Sequence, residues 1–194
     1  MSMTPLESSR PMRAVAISSS MLMGTLYKID PYNPNHSEIA EAIASAANQD
    51  PLFPHREDGC LRTACLLIAI AQIASSFSTN LIGDQGKRFG LYQIKPPKTD
   101  MNGKTITINM LNSARDSSLI AIDLIRTSMM KCKDRPWEER LAYFGGDEID
   151  AVTLFKSMRA IGIADTILAS TTPLLPSTAS LEDSRDRGSR QLPR

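Results

Sequence analysis

Aromatic residues are few in this sequence, 5% of 194 residues, against 42% hydrophobic residues overall. The apolar content is rich in Ala, Leu and Met, which lose little rotamer freedom in a helix, so a mainly helical protein is expected rather than a β-rich one. An excess of charge of either sign is also missing. With 22 Lys+Arg against 21 Asp+Glu, the formal net charge is +1. That leaves no overall field to attract nucleic acid or an acidic membrane, and neither is expected as a partner. Cysteine occurs three times, as Cys60, Cys65 and Cys132, so the thiols cannot all pair within the chain. Cys60 and Cys65 lie close together at the start of an expected helix, where a mutual bridge is geometrically awkward; buried reduced thiols are the expectation. Nothing in this usage demands an oxidising compartment. No apolar run approaches the roughly 20 residues of a membrane span, and the longest, residues 64–74, is interrupted by Gln72. The stretch "AVAISSSMLMGTLY" after Arg10 and Arg13 loosely imitates a signal peptide. Three serines break its apolar core and no convincing cleavage site follows, so no secretory signal is expected. His36 and His55 lack ligand partners at metal-binding spacing, so both are expected at the solvated surface and no metal is expected.

The residues that are present suggest one domain between two tails. Residues 1–30 mix Pro, Ser, Met and Arg without periodicity, and residues 169–194 are dense in Ser, Pro and charge. Both read as tails or partner-binding arms, the second flexible. Between them, residues 31–168 suggest five helices and one irregular lobe. "NPNHSEIAEAIASAANQD" offers Asn35 or Ser37 as an N-cap and an apolar face of Ile39, Ala42, Ile43, Ala46 and Ala47, giving a helix over about 36–48. "GCLRTACLLIAIAQIA" is apolar nearly all round, as a helix buried at the centre of a domain must be. "NMLNSARDSSLIAIDLIRTSMMKC" reads as one long helix, "PWEERLAYFGG" as a short one opened by Pro136, and "DEIDAVTLFKSMRAIG" as one that stops at Gly162. Residues 78–108 hold glycines, prolines and the alternating run "KTITIN", which suggests a small hairpin. The expected fold is mainly α: a helical domain around a buried central helix, with a loop and β-hairpin lobe.

Chemistry is suggested where the buried helix meets that lobe, in "AIAQIASSFSTNLIGDQGKRFGLYQIKP". Ala74 falls at the helix end, near unpaired carbonyls and the apolar Ile70, Ile73 and Phe77. A carboxylic acid there would be disfavoured in its ionised form by desolvation and by the helix terminus together. It would stay protonated near neutral pH and could deliver a proton to the oxygen of a departing sugar. With Ala74, no such donor exists. "GDQGKRFG" alone reads as an ordinary turn, since it lacks the Lys-Ser/Thr of a phosphate-binding loop and follows no strand. Trp137 reads as a packing anchor that could also stack on a sugar, and Glu138 and Glu139 as solvent-facing residues at a helix start.

Taken in order, these segments resemble the lysozyme superfamily, in particular the soluble lytic transglycosylases of the goose-lysozyme-like type. In that family an apolar helix ends in Glu-Ser-x-Phe/Leu; here the residues are Ala74, Ser75, Ser76 and Phe77. The family continues with Asn, a Gly-rich loop and Gly-Leu-x-Gln-Ile before Pro, and this chain supplies Asn80, Gly83, Asp84, Gly86, Gly90, Leu91, Tyr92, Gln93, Ile94 and Pro96. A later helix opening with Asn has its counterpart at Asn109 or Asn112. The family's Ala-Tyr-Asn-x-Gly segment corresponds to Ala142, Tyr143, Phe144, Gly145 and Gly146, with Phe144 in place of the usual Asn. The resemblance spans about residues 38–163.

It implies an α+β, lysozyme-like fold and cleavage of the β-1,4 bond between N-acetylmuramic acid and N-acetylglucosamine in a peptidoglycan glycan strand. One Glu serves as acid and then as base, with no cofactor. By the same resemblance, Ala74 stands at the catalytic position, Ser75 supports the site, and Gly90, Leu91, Tyr92, Gln93 and Tyr143 border the bound sugar. Asp84 is a candidate accessory carboxylate. The chain as written is expected to be inactive, whether the alanine is engineered or natural. A second reading keeps the fold but not the chemistry, as a peptidoglycan-docking or structural part of a virion or cell-envelope assembly that the tails help to bind. Either way the expected place of action is the bacterial cell wall or periplasm, reached in one route by delivery from a phage particle.

Overall fold

The computed structural model describes residues 14–96, 99, 103–142 and 151–171. Among these the protein is mainly α, with seven α-helices and one two-stranded antiparallel hairpin. The helix read from the Ile39/Ile43/Ala46 face is α2, His36–Gln49, and all five residues assigned to its apolar face are buried. The helix that is apolar all round is α3, Gly59–Ser75, with buried residues on every side from Cys60 to Ala71. The two pack together at the centre of the domain. The many alanines of α2 leave it thin enough for α3 and two further helices to approach closely.

One of these neighbours lies in the segment expected to be a tail. Residues Ser19–Ile29 form α1, capped by the Ser18 hydroxyl accepting from Met21 N at 3.3 Å. Leu22 and Leu26, one turn apart, are fully buried against α2; each such burial contributes about 1.5–3 kcal/mol. The segment before it is held by a long-range clamp. The Asn48 side chain accepts from Ile17 N at 2.9 Å and donates to Ile17 O at 2.8 Å. Two leucines are too short a periodic signal to identify a helix, and an amide clamp from 31 residues away leaves no local trace.

The long helix expected over residues 109–132 is two helices, α4 (Ile108–Asn112) and α5 (Ala114–Lys131). Ser113 separates them in an extended conformation and caps α5 by accepting from Asp116 N at 3.2 Å. Arg126 ties α5 to the end of α2 through a bidentate pair with Asp50, both contacts at 2.7 Å. The short α6 (Trp137–Ala142) follows and packs on α5 and on the last helix, α7 (Ala151–Thr171). α7 runs past Gly162, contrary to the expected stop. Ser157, Ala160, Ala164, Ile167 and Thr171 continue one buried stripe at spacings of three and four, against α3. That packing outweighs the roughly 1 kcal/mol cost of a helical glycine.

The hairpin is β1 (Ile82–Gly83) with β2 (Arg88–Phe89), in register Ile82 to Phe89 and Gly83 to Arg88. "KTITIN" contributes only an isolated bridge, Thr105 to Thr99, before its last two residues enter α4. His36, expected at the surface, is buried at the start of α2 with its ring 4.3 Å from that of Tyr27. His55 is exposed as expected. All three cysteines are free and buried.

Candidate functional site

The end of α3 is built by two residues with positive φ. Ser76 takes the left-handed conformation, at φ 50°, and its N–H donates to Gln72 O at 3.2 Å. Phe77 follows at φ 62° and donates to Ala71 O at 3.4 Å. The Ala71 and Gln72 carbonyls are thereby satisfied, and the Phe77 ring turns back into the core. The same turn leaves Ala74 half-buried and Ser75 buried. The Ser75 hydroxyl lies 3.1 Å from Ala71 O and 2.8 Å from Leu91 O. Its one hydrogen serves the shorter contact, which crosses from α3 to the glycine-punctuated lobe.

The lobe is closed by Gln93. Its carboxamide nitrogen donates to Leu81 O at 2.9 Å and to Gly90 O at 3.0 Å, pinning both sides of the hairpin. The carboxamide oxygen lies so near Gly83 that a Cβ there would meet it at 2.0 Å. Gly90, at φ 75°, passes directly over α4, where a Cβ would meet Leu111 O at 1.9 Å. Arg88 donates to Gln93 O at 3.3 Å. Among the described residues, every non-glycine residue with positive φ lies here: Ser76, Phe77, Asp84, Gln85 and Gln93. Such conformations cost of order 1–3 kcal/mol each and persist where surrounding contacts over-determine them, a pattern typical of binding and catalytic loops.

Hydrogen bonds therefore bring Ser75, Gly90, Leu91 and Gln93 together at the end of α3, one residue along the chain from Ala74. The Leu91 and Tyr92 side chains point into the core. The Ser118 hydroxyl donates to Ala114 O at 2.8 Å, so the Tyr92 phenol donates to Ser118 at 2.9 Å. Burial pushes the Tyr92 pKa well up, with the Ser118 bond opposing it. These two side chains support the lobe from below and offer no surface to a ligand. Asp84 faces outward, half-exposed and 3.6 Å from Arg88. Ala74 itself supplies no acid or base. Tyr143, with Phe144, Gly145 and Gly146, lies outside the described residues.

One feature had no sequence motif to announce it. A cleft of about 180 Å³ opens between α3, α6 and α7, with Phe53 and Trp137 on one side and Arg62 and Asp165 among its lining. Trp137 packs on Phe53 with ring centroids 6.0 Å apart, in keeping with the expected packing anchor. Its being the only tryptophan in the chain is the sole sequence signal that could have drawn attention to this place. Among the described residues no group of three or more His, Cys, Asp or Glu could hold a metal ion, and no helix is long and apolar enough to cross a membrane. Comparison with protein-family models, curated proteins and solved structures finds no match to this chain.

Proposed function

We propose that this chain is a lytic-transglycosylase-like domain that recognises a peptidoglycan glycan strand and, with Ala74 at the position of the general acid, does not cut it. The observation that carries the reading is the Ser75 to Leu91 hydrogen bond of 2.8 Å. It joins two of the segments on which the resemblance rests, and the clustered positive-φ residues around it mark a lobe held in one shape. A glutamate at position 74 would sit half-buried at a helix C-terminus, where its neutral form is favoured. It would protonate the glycosidic oxygen as the bond to the muramic acid C1 breaks. Its carboxylate would then take the proton from that sugar's 6-hydroxyl as O6 bonds to C1 and closes a 1,6-anhydro ring. With a methyl group there, neither transfer is possible, and loss of a general acid alone costs about 10² to 10⁴ in rate.

The test uses the chain as it stands and an Ala74→Glu variant, with turbidity loss of purified cell walls, analysis for anhydro-muropeptides, and co-sedimentation with insoluble peptidoglycan. Co-sedimentation of both forms and cleavage by the variant alone is the expected outcome. Binding without any gain of cleavage supports the docking reading and removes the enzymatic one. Failure of both forms to bind, together with stable oligomers on a sizing column, supports a purely structural role.

A further inference from the structure

We propose that the cleft between α3, α6 and α7 binds a free aromatic α-amino acid, with its ring between Trp137 and Leu66, its carboxylate on Arg62 and its ammonium on Asp165. The site is separate from the one around Ala74. Leu66 precedes Ala74 by eight residues of α3, about 12 Å at 1.5 Å per residue.

Size and lining point to a ring. An apolar cavity of about 150 Å³ accepts benzene, and this one is about 180 Å³ and opens to solvent. Its walls are the aromatic Phe53 and Trp137 and the aliphatic Leu66, Ala164 and Leu168. The two rings are tilted at 54°, and a third ring can meet such a pair edge-to-face or offset.

Charge points to a zwitterion. Asp58 takes the Nε of both Arg56 and Arg62, at 3.0 Å and 2.6 Å, which orients the two guanidinium groups. Their terminal nitrogens make no hydrogen bond among the described residues, leaving the fork that grips a carboxylate unused. Asp165, on α7, lines the same cleft and has no ion-pair partner among the described residues. Arg56, Arg62, Asp58 and Asp165 sum to zero charge, so a simple anion or cation would leave one wall unpaired. Burial raises the Cys65 thiol to about 12, with Arg62 opposing and Asp165 adding to the rise. Both charges line the same cleft of about 180 Å³, within which one small ligand can span them.

Since Trp137 is the only tryptophan, indole fluorescence reports on the cleft directly. The experiment titrates the full chain with L-phenylalanine, phenylacetate and phenethylamine, following Trp137 emission and heat of binding. L-Phenylalanine is expected to bind saturably. Each one-charge analogue should bind at least about tenfold more weakly, as should L-phenylalanine to Asp165→Asn or Arg62→Gln. Ala164→Leu, which fills the wall without touching a charge, should abolish binding. Asp165 is exposed and has no ion-pair partner among the described residues, so its variant remains folded and keeps the test decisive if Arg62→Gln does not fold. No saturable change with L-phenylalanine overturns the proposal, as does equal affinity for phenylacetate or an unchanged affinity in folded Asp165→Asn. Peptidoglycan co-sedimentation is expected to be unaffected by Asp165→Asn.

Discussion

The Ser75 hydroxyl donates to the Leu91 carbonyl at 2.8 Å, and both residues are buried. Through this bond the end of the central helix and the floor of the hairpin lobe become one unit. Ser75→Ala leaves a buried carbonyl without its partner, at a cost of about 1–3 kcal/mol. A lowered urea midpoint is expected, together with faster amide exchange in residues 81–94 than in α2. An unchanged midpoint would mean that the lobe does not depend on this contact.

Two glycines are expected to respond to alanine in opposite directions. At Gly90 the positive φ of 75° and the Leu111 carbonyl 1.9 Å from an added Cβ both oppose a side chain, so Gly90→Ala should destabilise by about 2 kcal/mol or more. At Gly162, inside α7, nothing lies within 4 Å of an added Cβ. Gly162→Ala should stabilise by about 0.5–1 kcal/mol through helix propensity. Thermal melts of the two variants beside the parent check both signs.

Partial burial pushes the Asp58 carboxyl up, but hydrogen bonds and charge from Arg56 and Arg62 outweigh it, and its pKa lies below the ordinary 3.8. A carboxylate depressed in the folded state contributes stability above its unfolded pKa and loses it as pH falls through the folded value. Asp58→Asn should therefore lower stability at neutral pH and flatten the loss below about pH 4. Because all three side chains are partly exposed, the effect is expected to be about 1 kcal/mol or less. Urea titrations of parent and variant on either side of that pH measure it.

Burial raises the Cys60 thiol and takes Cys65 to about 12. Slow reaction with a chromogenic disulfide reagent is expected in the native protein near neutral pH, and rapid reaction of all three thiols in denaturant. The Cys65 contribution to stability is full below its unfolded value of 9.0 and is lost as pH rises toward about 12. Cys65→Ala should soften the alkaline loss of stability. Rapid labelling of the native thiols would falsify their buried state.

Periodicity made α2 and α3 legible, because a helix that buries one stripe, or all of its surface, must carry apolar residues at those positions. The meeting of "ASSF" with "GLYQI" was legible only as an order of segments. That Ser75 faces Leu91, and that Gln93 closes the hairpin instead of projecting from it, depended on backbone conformations near φ 50° that nothing in those residue types requires. α1 was missed because Ile17 is held by Asn48 across 31 residues. Gly162 was misread because a local breaker was weighed without the surface of α3 beneath it.

By itself the sequence determined a mainly helical chain with an apolar centre, three buried thiols and an alanine at the end of its most apolar helix. These properties follow from residue type and spacing, which act locally. Only the tertiary structure decided that Leu91 and Tyr92 support the lobe from inside, that the N-terminal helix belongs to the core, and that Phe53, Arg62, Trp137 and Asp165 line one cleft. Their meeting depends on the packing angles of α3, α6 and α7, and long-range packing brings together residues whose separation along the chain carries no sign of it.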